Sequence, residues 1–271
     1  MKYYIKADRN VRIFVEDINP DCSKTILFIH GWPLNHNAYE YQINKLSSMG
    51  YRCIAIDLRG YGKSDRPSQG YDYNTMAKDI RCVIEVLKLN NITLVGHSMG
   101  GAISIRYVSN YNAYGVSKLC LIGAAAPSWV KTNNWKYGYA EDQVNNLIQE
   151  TYIDRGKLVD DVRDSFFFQY KGETFKRWFE NLCLAAAGWS TANSLMALRD
   201  ERLFNDLENI NISTLILHGV HDKVCPFEFA KYMDNAIDNS TLIPLTESGH
   251  GAFAEEIEKV NNSLVCFINQ Q

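Results

Sequence analysis

The run Gly96-His97-Ser98-Met99-Gly100-Gly101 sets a serine between two glycines. It follows the apolar stretch Ile92-Thr93-Leu94-Val95 and opens a helical pattern. G-x-S-x-G in a strand–turn–helix setting is a nucleophile elbow. The turn is so sharp that side chains at the flanking positions would collide with neighbouring backbone, which explains the glycines. The serine then sits at a strained backbone angle, with its Oγ raised above the sheet and a helix N-terminus beneath it.

A serine alone is a poor nucleophile, so a base and an orienting acid must follow it in the chain. The chain order expected for such an elbow is Ser, acid, His. Asp222 meets the requirement for the acid in His218-Gly219-Val220-His221-Asp222, just past an apolar strand. His250, in Glu247-Ser248-Gly249-His250-Gly251, meets the requirement for the base. Its rival is His221. His30 and His218 end strands and precede glycines, which assigns them structural hydrogen bonds. His97 points away from the serine's face, and His36 and His221 read as loop residues near the surface. Acyl transfer also needs donors for a developing oxyanion. The backbone N–H of Met99 supplies one, and that of Trp32, in His30-Gly31-Trp32-Pro33, supplies the second. Pro33 restricts Trp32 toward extended angles and so governs where the Trp32 carbonyl points.

These residues need a scaffold. Short β-type runs at Tyr3–Lys6, Arg12–Glu16, Thr25–His30, Cys53–Asp57, Ile92–Gly96, Lys118–Gly123, Thr214–His218 and Thr241–Leu245 alternate with helical patterns. Several are apolar at consecutive positions, such as Ile26-Leu27-Phe28-Ile29, as strands buried on both faces are. The first two runs are spaced as an antiparallel hairpin at a sheet edge. The alternation breaks between Pro127 and Arg199, a helical stretch rich in aromatics. The reading is a core of residues 1–126 and 200–271 with a helical cap inserted at 127–199. The cap's aromatics form its own core for the most part and leave an apolar pocket over the serine.

Other chemistries are excluded. Asp57-Leu58-Arg59-Gly60-Tyr61-Gly62-Lys63-Ser64 ends like a phosphate-binding loop, but Asp57 replaces the first glycine and would repel phosphate. It reads as a structural turn, with Arg59, Lys63, Asp65 and Arg66 pairing locally. Lys+Arg 28 against Asp+Glu 31, mixed along 271 residues, leaves no basic stripe for nucleic acid. No stretch approaches the roughly 20 apolar residues of a membrane span. The N-terminus carries no apolar signal segment, which sets the expectation of a cytoplasmic protein. Cys22, Cys53, Cys82, Cys120, Cys183, Cys225 and Cys266 form no C-x-x-C pair. They read as small buried hydrophobes in a reducing compartment, with no disulfide framework or zinc site.

Together, His30-Gly31-Trp32-Pro33, Asp57 to Asp65, Gly96 to Gly101, His218-Gly219-x-x-Asp222 and Gly249-His250-Gly251 resemble the α/β-hydrolase superfamily. Within it they are most similar to carboxylesterases and to cofactor-free, haloperoxidase-like perhydrolases. The resemblance spans nearly the whole chain. It implies an α/β-hydrolase fold with a mostly parallel central sheet flanked by helices. It also implies a Ser98–Asp222–His250 triad and Trp32 and Met99 as oxyanion donors, with no cofactor or metal. The expected reaction is cleavage of a small to medium carboxylic ester through an acyl-enzyme. One alternative is use of hydrogen peroxide by the same triad. Another is a ligand receptor of this fold with incidental hydrolysis. Haloalkane dehalogenases and epoxide hydrolases are disfavoured, since they use Asp where this chain has Ser98.

Overall fold

A computed structural model describes residues 1–270 of the 271. Its centre is a sheet of eight strands: β1 (Lys2–Asp8), β2 (Val11–Ile18), β3 (Thr25–Ile29), β4 (Arg52–Ile56), β5 (Ile92–His97), β6 (Val116–Ile122), β7 (Ser213–Gly219) and β8 (Ser240–Leu245). Their spatial order is β1-β2-β4-β3-β5-β6-β7-β8. β1 and β2 form the expected antiparallel edge hairpin, β2 pairs antiparallel with β4, and the remaining pairings are parallel. The helices of the core are α1 (Glu40–Ser48), α2 (Tyr73–Val86), α3 (Met99–Tyr111), α8 (Phe204–Glu208), α9 (Glu228–Ala236), α10 (Ala252–Glu255) and α11 (Ile257–Asn269). Between β6 and β7 lie α4 (Glu141–Ile153), α5 (Arg155–Phe166), α6 (Glu173–Leu184) and α7 (Gly188–Asp200).

The apolar runs explain the layering. Side chains alternate faces along a strand. Ile26 and Phe28 of β3 therefore join the cluster under α1 and α11, with Ile43, Leu46, Leu264 and Phe267. Leu27 and Ile29 join the opposite cluster, with Met76, Ile80 and Ile84 of α2 and Ile103 of α3. Each fully buried aliphatic chain contributes about 1.5–3 kcal/mol, so both faces must be covered. α2 starts where Asp72 accepts from the Thr75 N–H at 2.9 Å, a cap worth about 1 kcal/mol. α3 stops at Asn112, which takes a left-handed conformation with φ 47°.

Three expectations need correction. His36 is not near the surface. It opens a buried 3-10 turn in which Asp57 accepts from its backbone N–H at 2.8 Å and lies 2.7 Å from its Nδ1. The charges of the 57–66 turn form no salt bridge with one another, although Arg66 donates to the Gly62 carbonyl at 3.2 Å and Asp57 accepts from the Lys63 N–H at 2.8 Å. Arg59 pairs with Asp79 of α2 at 2.6 Å, Asp65 with Arg12 of β2 at 2.9 Å, and Arg66 donates to the Ala185 carbonyl at 2.9 Å. The turn is thus a clasp between β2, α2 and the helices that lie between β6 and β7. Among the cysteines, Cys53, Cys120, Cys183 and Cys225 are buried, but Cys22 and Cys82 are half-buried and Cys266 is exposed.

Candidate active site

The parallel strands all end at one edge, and the loops leaving that edge carry the singled-out residues. Ser98 follows β5 with φ 51° and ψ −120°, a positive φ that costs a non-glycine residue about 1–3 kcal/mol. The flanking glycines are required by close approach. A Cβ on Gly100 would lie 2.3 Å from the Ile29 carbonyl oxygen, and one on Gly96 would lie 2.6 Å from the Gly100 oxygen. Met99 is the first residue of α3, so its N–H has no acceptor within the helix. The loop after β3 presses on the elbow, since a Cβ on Gly31 would sit 2.8 Å from Ser98 Cβ. Among the described residues no hydrogen bond is formed by the Trp32 backbone N–H, while its indole donates to the Thr191 carbonyl at 3.0 Å. The Trp32–Pro33 peptide is cis.

Asp222 and His250 meet across the ends of β7 and β8. Asp222 Oδ2 lies 2.7 Å from His250 Nδ1. The other carboxylate oxygen accepts from the backbone N–H groups of Val224 (2.8 Å) and Cys225 (2.7 Å), which fixes the aspartate's rotamer. The loops touch so closely that a Cβ on Gly219 would fall 2.1 Å from the Gly249 carbonyl oxygen. With Nδ1 turned to Asp222, His250 Nε2 is buried and without a hydrogen-bond partner. No hydrogen bond joins it to Ser98 Oγ in this conformation, as is common before a substrate tightens a catalytic site.

The other histidines take different places. His30 Nε2 accepts from the Leu58 N–H at 3.0 Å, and His218 Nε2 donates to the Cys225 carbonyl at 2.7 Å. Both serve structure, as their strand-end positions suggested. His97 Nε2 donates to the His250 carbonyl at 3.1 Å, and the two rings lie 4.8 Å apart. Burial pushes His30 down to about 4 and holds His97 and His218 below the usual imidazole range. His221 stacks on Phe168 at 3.8 Å, and both side-chain oxygens of Asp222 are engaged by other partners.

A cavity of about 200 Å³ opens on Ser98 and is lined mainly by Trp32, Trp129, Tyr139, Leu147, Phe166 and Val224. Phe166 also meets the His250 ring edge-on at 4.7 Å. Three of these aromatics come from the segment between β6 and β7, and composition alone does not separate them from Phe167, Phe175 and Phe179, which pack on one another. Two further neighbours escaped sequence reasoning. The Cys225 thiol lies beside the Ser98 and Trp129 side chains, and burial, then the Asp222 charge, push it well above its usual range. Glu255 contacts the His250 loop from α10. Among the described residues no group of three or more His, Cys, Asp or Glu side chains is placed to hold a metal ion.

With fold and site in view, the comparisons define the class. The family described as the alpha/beta hydrolase fold matches residues 24–257, and this chain belongs to it. The chain is 46% identical over 269 residues to the AB hydrolase superfamily protein YisY of Bacillus subtilis (strain 168), covering 99% of this chain and 100% of that protein. It superposes on an esterase (EaEST) from Exiguobacterium antarcticum with a TM-score of 0.97, at 45% identity and complete coverage of both chains. It is also 30% identical to the bifunctional esterase/perhydrolase DCH of Acinetobacter calcoaceticus, over 98% of this chain and 99% of that one. The mostly parallel eight-stranded sheet expected from the motifs is the observed one. No described helix is long and apolar enough to cross a membrane.

Proposed function

We propose that this protein is a serine hydrolase of small to medium carboxylic esters. Ser98 attacks the ester carbonyl, His250 Nε2 takes its proton, and Asp222 holds the imidazole tautomer. The N–H groups of Met99 and Trp32 receive the oxyanion. The leaving alcohol departs with the proton from His250, and water, activated by the same histidine, hydrolyses the acyl-enzyme. The observation that carries this reading is the Asp222–His250 hydrogen bond of 2.7 Å, which leaves Nε2 free beside the elbow. Residues 127–199 act as a cap whose Trp129, Tyr139, Leu147 and Phe166 shape the acyl site.

A series of p-nitrophenyl esters from acetate to laurate tests it. Each added CH₂ that enters the apolar cavity contributes about 0.8 kcal/mol, or roughly fourfold in kcat/KM. kcat/KM is therefore expected to rise from acetate, peak at short to medium acyl chains and fall for long ones. Best activity on long-chain triglyceride emulsions contradicts it. Tight ester binding without turnover would return the receptor alternative.

A second reading has its own support in the likeness to an esterase/perhydrolase and in Trp32-Pro33. In it, hydrogen peroxide replaces water at the acyl-enzyme and releases a peracid, and the Trp32 carbonyl accepts a hydrogen bond from the peroxide. The expected result is that wild type forms more peracid from acetate ester and peroxide than Pro33→Leu at equal esterase activity. Equal peracid yields leave the plain esterase reading.

A further inference from the structure

Glu255 ends the one-turn helix α10, five residues after His250, and is almost fully buried. Its two carboxylate oxygens face two different segments. Oε1 accepts from the backbone N–H groups of Phe168 (2.7 Å) and Gln169 (2.8 Å), in the linker between α5 and α6. Oε2 accepts from the N–H of Gly249 at 2.8 Å, one residue before His250. Further contacts close the same seam. Gly251 N–H donates to the Phe166 carbonyl at 3.0 Å, Gln169 Nε2 donates to the Glu247 carbonyl at 2.7 Å, and Phe168 stacks on His221. Glu256 also grips the histidine loop, accepting from Glu247 N–H at 2.9 Å and Ser248 Oγ at 2.7 Å, but it makes no hydrogen bond to the linker. Burial pushes the Glu255 carboxyl up, and the three N–H groups oppose that shift.

The seam bears on the chemistry through Phe166, which touches the His250 ring and also lines the Ser98 cavity. α7 is tied to the core elsewhere, by the Trp32 indole on the Thr191 carbonyl and by Tyr71 Oη and Ser190 Oγ at 2.7 Å. The α5–α6 linker and the histidine loop also pack directly, with a Cβ on Gly249 falling 2.9 Å from Phe168 N, and Glu255 is the side chain that hydrogen-bonds to both.

We propose that Glu255 is a positioning residue that locks the α5–α6 linker and the His250 loop together, so that the cavity wall and the base are set by one carboxylate. The inference rests on His250 being the base. Glutamine at this position keeps one carbonyl oxygen and presents an NH₂ to an N–H on the other side. It can therefore serve the linker or the loop, but not both. Aspartate is a methylene too short to span them.

The test joins amide hydrogen exchange with kinetics on p-nitrophenyl butyrate, for wild type, Glu255→Gln, Glu255→Ala and Glu256→Gln. Glu255→Ala is expected to lose exchange protection in residues 165–171 and 247–251 together, while Glu255→Gln is expected to keep a cooperative melt and to lose protection in at least one of the two segments. Its kcat is expected to fall about 10- to 100-fold, the loss that a displacement of about 1 Å brings, with KM changed less than about threefold. Glu256→Gln should leave protection at 165–171 as in wild type. Protection lost in only one segment of Glu255→Ala, protection kept in both segments of Glu255→Gln, or a kcat within about twofold of wild type in folded Glu255→Gln, overturns the proposal. Full activity in Ser98→Ala defeats the triad reading instead, and the exchange arm still decides whether Glu255 couples the two segments.

Discussion

Ser98→Ala is expected to lower kcat on a simple ester by at least about 10⁴-fold, leaving only the acceleration that binding and oxyanion donors supply. His250→Ala should match it, because members of such a unit fail together, while Asp222→Asn falls less far. The backbone at Ser98 adds a second readout. Alanine keeps the same Cβ in the φ 51° conformation, so its melting temperature should stay close to wild type. Ser98→Gly removes that strain and should melt higher, by the equivalent of about 1–3 kcal/mol, while being equally inactive. Steady-state kinetics and thermal melts on the purified variants check both. Full activity in His250→Ala with loss in His221→Ala moves the base to the rival.

The second large effect is on stability in mild acid. His30, His97 and His218 are buried, and burial holds all three imidazoles below the usual range, His30 at about 4. In the unfolded chain each titrates near about 6.5. Between those values the unfolded state binds more protons than the folded one, so stability is present above about pH 6.5 and is lost as pH falls. His30 alone removes about 2 kcal/mol by pH 5, at about 1.4 kcal/mol per pH unit. His97 and His218 act in the same direction. Domains of this kind hold about 5–15 kcal/mol in total, so the loss is a large share. Asp79 and Glu255 are carboxyls that burial pushes up, so they oppose the trend as pH falls toward their raised range. Urea midpoints should therefore drop steadily from pH 7 to pH 5. A flat midpoint across that window contradicts the neutral buried histidines.

The strands were legible because this sheet is covered on both faces, and a doubly buried strand leaves an uninterrupted apolar run in the sequence. The elbow was legible because its geometry excludes side chains at Gly96 and Gly100, where the nearest backbone atoms leave no room. That Asp222 and His250 meet was readable from their positions after the last two strands. What escaped depends on contacts distant in sequence. His36 looked like a loop residue because its partner, Asp57, lies 21 positions away, and burying this polar ring is tolerable only with that hydrogen bond. The charges of the 57–66 turn looked self-sufficient because their partners Arg12, Asp79 and Ala185 lie far off in the chain. In the aromatic segment, Trp129 and Phe166 face the cavity while Phe168 and Tyr170 are exposed. Helical periodicity gives each helix a buried face without saying what lies across from it.

Covalent labelling distinguishes Ser98 from every other nucleophile of the chain. Wild-type protein treated with a small fluorophosphonate should gain one adduct, within the tryptic peptide spanning residues 89–106. Fragment ions should place it on Ser98 and not on Ser104, and His250→Ala should label at least about 100-fold more slowly, since the serine then lacks its base. An adduct on another residue, no adduct, or labelling of His250→Ala at the wild-type rate contradicts the assignment of Ser98 and His250 as nucleophile and base.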